Sequence, residues 1–248
     1  MKIVTSFGYK INDIAPVIAK IPKEGQVEYQ GRNTIKSIRV GKEKWNIKIF
    51  KIPHVVNKFA YRWIRKSKAQ RSFEYGQLLL QKGFLTPKPI AYAEHYKGLY
   101  MLDSCYISEQ LKYDLTFREL IHDSNYPDRT NILKQFTEFT YNLQVAGIHF
   151  IDHSPGNTLI IKDKKNKYKF YLVDLNRMRF RYLNYQKRIQ NFARLSLTDE
   201  MIEIIANKYA SISNCDFEQV FADMINACHA SANKRTRKAK LKKKLGRC

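Results

Sequence analysis

Apolar positions along the chain change period about half-way. Between residues 27 and 50 they alternate with polar ones. Val27–Tyr29 is followed by a turn composition, Gln30-Gly31-Arg32-Asn33, and then by Thr34–Val40. After Gly41-Lys42-Glu43, the segment Trp45–Phe50 sets Trp45, Ile47 and Ile49 on one face and Asn46, Lys48 and Phe50 on the other. A period of two predicts three antiparallel strands ending before Pro53. Residues 55–82 then read as helix, with Ser67 as an N-cap, Phe73, Gln77, Leu78 and Leu80 at helical spacings, and Gly83 just past the end. Pro87 and Pro89 impose an extended linker before Ile90–Ala93. Leu99–Met101 and Cys105–Ser108 read as two further strands parted by Asp103-Ser104.

From residue 116 the period becomes helical. Thr116-Phe-Arg-Glu119 has the form of a capping box. Pro127 suits the first turn of a helix running to Ala146, ahead of Gly147. Thr158–Ile161 and Lys169–Val173 flank the polar segment Lys162–Asn166 as a hairpin, and helices are expected at about 183–196, 199–211 and 216–231. Residues 1–25 carry too little periodicity to assign. A strand-rich half followed by a helix-rich half predicts an α+β fold of two lobes with a cleft between them. The expected domains are 1–110, 111–232 and a basic tail, 233–248.

The chain has 248 residues, 44% of them hydrophobic, which is enough for a core and excludes global disorder. Its net charge is +23, and removing Lys234–Arg247, which holds nine Lys or Arg and no acid, still leaves +14. Such a surplus implies acidic company: nucleic acid, phosphates or an anionic membrane face. Cys105, Cys215, Cys228 and Cys248 form no C-x-x-C pair, which excludes a zinc ribbon and disfavours a disulfide framework. There is no signal-peptide pattern and no run of 18 apolar residues. The expectation is a reduced, cytoplasmic protein, peripheral on the inner face of the cytoplasmic membrane.

The most informative stretch is Asp152-His-Ser-Pro-Gly-Asn157, leading into an apolar strand, with Asp174 at the end of the return strand. Phosphoryl transfer uses these groups. One Asp orients the attacking hydroxyl and accepts its proton, while an Asn and a second Asp hold Mg²⁺ against the nucleotide phosphates. Lys48 on a strand and Glu74 on the next helix would supply the phosphate lysine and its partner. Lys51 competes with Lys48, but alternation turns it to the opposite face. His149 and His153, lacking further spaced ligands, read as structural or substrate-contacting. Gly31 most simply serves a turn, and Glu74 has helix neighbours, Gln70 among them, to pair with.

Together with Gly31-Arg32-Asn33-Thr34, Thr86-Pro-Lys-Pro-Ile-Ala, Tyr106-Ile-Ser-Glu109 and Val173-Asp174-Leu-Asn176, these pieces resemble the bacterial lipopolysaccharide kinase family over roughly residues 25–180. The resemblance implies a bilobal, protein-kinase-like fold with an antiparallel-sheet N-lobe and a mainly helical C-lobe. It further implies ATP and Mg²⁺, and a sugar hydroxyl of the lipopolysaccharide inner core, Kdo in preference to heptose, as acceptor. It makes Asp152 the catalytic base, Asn157 and Asp174 the metal ligands, and Lys48 with Glu74 the α/β-phosphate contact and its partner. Gly31 falls in the phosphate-covering turn, and Glu109–Leu111 becomes the hinge facing adenine.

Three departures weigh against protein-kinase activity: Phe150 stands two residues before Asp152, the metal loop reads Asp-Leu-Asn, and the phosphate turn has only Gly31. Two other readings stay open, a kinase of a soluble aminoglycoside-like molecule and a silent nucleotide- or RNA-binding module. The basic tail reads either as a solvated, disordered end or as a membrane contact. A second basic cluster, Lys58, Arg62, Arg65, Lys66, Lys68 and Arg71, is interleaved with Phe59, Tyr61 and Trp63. It suits a lipid interface better than nucleic acid, since no RNA-binding module is present. No protein partner is expected.

Overall fold

A computed structural model of the chain describes residues 1–51, 66–98, 100–164 and 166–244. They divide into two compact units, Met1–Lys112 with Asp174–Asn176, and Tyr113–Val173 with the described residues from Arg177 onward.

The first unit is built on a six-stranded antiparallel sheet in the order β1-β5-β6-β4-β3-β2. Its strands are β1 (Lys2–Thr5), β2 (Gln26–Gln30), β3 (Asn33–Val40), β4 (Glu43–Lys51), β5 (Pro89–Lys97) and β6 (Tyr100–Glu109). Alternation along β4 decides what each face carries. Trp45 and Ile47 join Ala91, Ala93, Cys105 and Ile107 against helix α1 (Ile11–Lys20), through its Ile14, Val17 and Ile18. Phe50, one step out of phase, joins Tyr92 and Tyr106 against Ala69 and Phe73 of helix α2 (Lys68–Gln81). Fully burying each such side chain contributes about 1.5–3 kcal/mol, so one-residue slippage of β4 would exchange both cores.

Helix α2 starts where the sequence places its cap: the Ser67 hydroxyl accepts from Gln70 N–H at 3.0 Å. Beyond its end, Gly83 has a left-handed φ of +81°. The helical reading of 55–65, the Pro53 stop and the basic–aromatic cluster between Lys58 and Arg65 lie outside the described residues. Residues 1–25, unassigned by pattern, supply β1, which pairs with the edge of β5, and α1, which carries Pro16 inside it. The two expected strands around Asp103-Ser104 are one. Ser104 is buried, and Asp103 faces His95 across the β5–β6 ladder and pairs with its ring, so the polar dipeptide has partners within a strand.

The second unit surrounds one aromatic-rich core, including Phe117, Phe136, Phe170, Phe192 and Tyr209. Its helices are α3 (Phe117–His122), α4 (Arg129–Val145), α5 (Tyr185–Phe192), α6 (Asp199–Ser213) and α7 (Phe217–Lys244). The capping box on α3 is present: Thr116 Oγ1 accepts from Arg118 N–H, and the Glu119 carboxylate accepts from Thr116 N–H. The hairpin β9 (Thr158–Lys162) and β10 (Tyr168–Leu172) is extended by β7 (Leu115–Thr116), and β8 (Ile148–His149) pairs with β11 (Arg179–Phe180). Helix α7 runs past the expected stop near residue 231 into the basic segment, because Lys, Arg, Ala and Leu are good helix formers and no Gly or Pro intervenes before Gly246.

One glycine fixes how closely α2 packs. A Cβ on Gly76 would lie 2.7 Å from Pro89 Cγ and 3.3 Å from the Tyr106 hydroxyl. Gly76→Ala gains about 1 kcal/mol of helix propensity, but the overpacking costs about 1–3 kcal/mol against a stiff proline ring. The expected outcome is a lower urea midpoint at unchanged m-value; a higher midpoint would show that α2 moves away freely.

Candidate active site

The loop between β8 and β9 is bound to itself. Ser154 N–H donates to the Asp152 carbonyl at 2.7 Å, and the Asn157 side-chain amide donates to the same oxygen at 2.8 Å. A short 3₁₀ turn, Pro155–Asn157, follows, and Val173 N–H donates to the Asn157 carbonyl at 3.0 Å. Asn157 therefore reaches back to Asp152 with its amide nitrogen, which leaves its side-chain oxygen without a partner among the described residues.

His153 anchors the loop from beneath. It is 0% exposed, and its ring lies 5.3 Å from that of Phe136, 5.4 Å from Phe150 and 6.5 Å from Phe192. Burial pushes it down to about 3, so the imidazole is neutral at working pH. His149 is lowered as well, by burial and by Arg181 and Arg179. Among the described residues no cluster of three or more His, Cys, Asp or Glu is placed to hold a metal ion.

Asp152 presents both carboxylate oxygens to arginines. Arg194 Nη2 lies 2.9 Å from Oδ1 and Arg177 Nη1 lies 3.3 Å from Oδ2. Arg118 of α3 lies over the same loop, with its guanidinium against the position a Gly156 Cβ would occupy. None of these arginines was indicated by sequence. Arg177 and Arg194 stand 25 and 42 residues from Asp152, and no local spacing connects them to it.

In the first unit, Lys48 Nζ lies 2.8 Å from Asp174 Oδ1. Asn176 donates to the same oxygen at 2.6 Å, leaving Oδ2 without a partner among the described residues. Asp174 has a left-handed φ of +60°, a conformation that Asp tolerates better than most residues and that recurs at functional sites. Lys48 and Lys68 Nζ lie 5.5 and 5.9 Å from the centroid of the same Phe50 ring. Burial lowers the Lys68 pKa, as do the nearby charges of Arg32, Arg71 and Lys48, against the opposing pull of Asp174. Among the described residues Lys68 thus meets three cations and the single carboxylate of Asp174, a balance that suits a polyphosphate. Lys51 is exposed at the far end of β4.

Glu74, expected opposite Lys48, instead takes Lys66 at 2.7 Å and Gln70 at 2.9 Å; Lys48 takes Asp174. Gly31 sits in the β2–β3 turn, its N–H donating to the Asn33 carbonyl at 3.1 Å. At the end of β6, Glu109 N–H donates to the Lys88 carbonyl and Gln110 N–H to the Lys44 carbonyl. Asn46 fixes the Gln110 side chain at 2.7 Å. Leu111, next along, is half-buried and makes no hydrogen bond to the described residues.

Residues 20–221 match the Lipopolysaccharide kinase (Kdo/WaaP) family. The chain belongs to this family. It is therefore a phosphotransferase with a hydroxyl acceptor, a sugar kinase of the lipopolysaccharide core. No curated protein matches the chain. Among many similar solved structures, one described as "WaaP in complex with acyl carrier protein" has a TM-score of 0.66 and 16% identity, over 96% of this chain and 99% of that one. At that identity the likeness concerns the fold, and it agrees with the α+β, protein-kinase-like architecture expected from the sequence.

The neutral buried His153 gives this protein a measurable pH dependence of stability. With the folded pKa depressed to about 3 and an ordinary unfolded value near 6.5, the unfolded chain binds the proton first. Stability from this group is complete above about pH 6.5 and is lost as pH falls, by about 2 kcal/mol at pH 5. His153→Phe should fold and show a flatter fall in urea midpoint between pH 7 and 5; equal slopes for both proteins would refute the buried neutral ring.

Proposed function

We propose that this kinase transfers the γ-phosphoryl group of ATP, with Mg²⁺, to a hydroxyl of an inner-core sugar, Kdo in preference to heptose. The observation that carries the nucleotide half of this reading is the Lys48–Asp174 ion pair at 2.8 Å beside Lys68.

Lys48 contacts the α/β-phosphates, with Lys68 adding charge at the same end of Phe50. Leu111, in the segment Glu109–Leu111, offers backbone groups to adenine, and the Gly31 turn covers the phosphates. The free oxygens of Asn157 and Asp174 are hard donors of the kind that magnesium prefers. When bound, the metal supplies neutralisation of charge developing on the phosphates. Asp152 orients the acceptor hydroxyl and takes its proton as the oxygen attacks phosphorus. Glu74 has a supporting part: through Lys66 and Gln70 it ties down the first turns of α2, which carry Lys68.

Work at the inner face of the cytoplasmic membrane follows from the acceptor and from α7. Its described end is exposed from Asn233 to Leu241 and rich in Lys and Arg, each worth about 1 kcal/mol near an anionic surface. Among the described residues no helix is long and apolar enough to cross a membrane. A soluble aminoglycoside-like acceptor loses ground to family membership, and a silent module loses ground to the retention of Lys48, Glu74, Asp152, Asn157 and Asp174.

Purified protein given γ-labelled ATP, Mg²⁺ and Kdo–lipid A in anionic micelles should label the lipid, and Asp152→Ala should lower turnover by about 10²–10⁴-fold. Wild-type turnover in that variant would remove Asp152 from its role, and labelling only of heptose-bearing acceptors would move the substrate from Kdo to heptose. Lys48→Ala should raise the KM for ATP at least tenfold while Lys51→Ala leaves it unchanged; the reverse order would make Lys51 the phosphate lysine.

A further inference from the structure

Asp152 carries more cationic company than a proton acceptor requires. Arg177 follows directly on the Asp174–Asn176 segment, and Arg194 follows the C-terminal end of α5. They come from separate elements yet each takes a different oxygen of one carboxylate. The carboxylate is 18% exposed, whereas the arginines are 53% and 45% exposed. Each guanidinium has five N–H donors, and the contact with Asp152 is the one hydrogen bond each makes among the described residues. Arg118, also exposed, lies against Gly156 in the same loop. A fold that needed only to position Asp152 would bury one such contact; here two half-exposed forks hold its carboxylate, and a third guanidinium lies against the same loop.

Planar forks of this kind select carboxylate and phosphate oxygens, often two at a time. We propose that Arg177 and Arg194 form an oxyanion-recognising subsite of the acceptor, with Arg118 adding charge at its edge. They bind a carboxylate or phosphate carried by the acceptor close to the hydroxyl that is phosphorylated. Asp152 occupies the forks when no acceptor is present. As the acceptor's anion takes them over, Asp152 is released to the hydroxyl, so recognition and the freeing of the base are one exchange of partners. A neutral sugar cannot make the exchange and is a poor substrate. This inference rests on the acceptor half of the proposed function, and it assigns Arg177 and Arg194 to specificity rather than to the nucleotide.

The test keeps the nucleotide cations filled with saturating Mg²⁺ and a non-hydrolysable ATP analogue. Binding of Kdo, its carboxyl methyl ester and inorganic phosphate to the full chain is followed by NMR titration, for wild type, Arg177→Gln, Arg194→Gln and Arg194→Lys. Kdo should bind wild type, lose at least tenfold in each Gln variant, and lose less in Arg194→Lys, which keeps the charge without the fork. The ester should bind weakly to every protein alike. If the Gln variants lose phosphate but not Kdo, the subsite stands and the anion it reads is a phosphate of the lipid. In turnover, the Gln variants should raise the KM for Kdo–lipid A and leave that for ATP unchanged. Wild-type-like binding of both Kdo and phosphate by the Gln variants, or a rise in the KM for ATP in place of the acceptor's, overturns the proposal. Loss of anion binding in the variants, with wild type transferring nothing to Kdo–lipid A, would retain the subsite and dismiss the acceptor reading.

Discussion

The geometry of the candidate site in the second unit depends on how one short loop is kept from moving. Residues 152–157 have little regular structure, and a loop of that length would ordinarily sample many conformations. Two contacts of opposite character restrain it. His153 is pressed among three aromatic rings as a neutral side chain. Ser154 and Asn157 both donate to the Asp152 carbonyl. The first contact fixes the depth of the loop and the second fixes its curvature. With the backbone of Asp152 held this way, its carboxylate is turned toward Arg177 and Arg194, and the ring of His153 is unavailable for acid–base work.

In the first unit the controlling constraint is the parity of β4. The same alternation that sends Trp45 and Ile47 against α1 sends Phe50 against α2, and it brings Lys48 out beside Phe50 and Asp174. Core and site thus share one register. The close approach of α2 at Gly76 extends this dependence, because Leu175, adjacent to Asp174, also lies within 3.5 Å of the place a Cβ would take there. Helix packing and the position of the Asp174 carboxylate are coupled through a single small residue.

Much of this was legible in the sequence where the signal is local. The β3–β4 alternation, the Ser67 cap, the Thr116–Glu119 box, the β9–β10 hairpin and the Asp152–Asn157 spacing each involve residues only a few positions apart. What escaped was decided by distant partners. β1 is a four-residue edge strand defined by its pairing with β5, and α1 contains a proline that argues against a helix. Asp103 reads as a turn residue until His95 is placed across from it. Glu74 had two classes of partner within reach, and the nearer in sequence, Lys66 and Gln70, took it. Arg177 and Arg194 could not have been found from spacing, in a chain where 45 Lys and Arg have 22 Asp and Glu to choose among.

The continuity of α7 into the basic segment has a consequence for its own persistence. Lys234, Arg235, Arg237, Lys238 and Lys240 stand three and four residues apart along one helix, and like-charge pairs at that spacing each cost about 0.2–0.5 kcal/mol. The helix dipole returns part of this, but only within the last turn. The winding of this segment is therefore a function of ionic surroundings. It tightens where counterions or an anionic surface neutralise the stripe and loosens where they are dilute, so the length of α7 is a gauge of the electrostatic medium in which the enzyme sits.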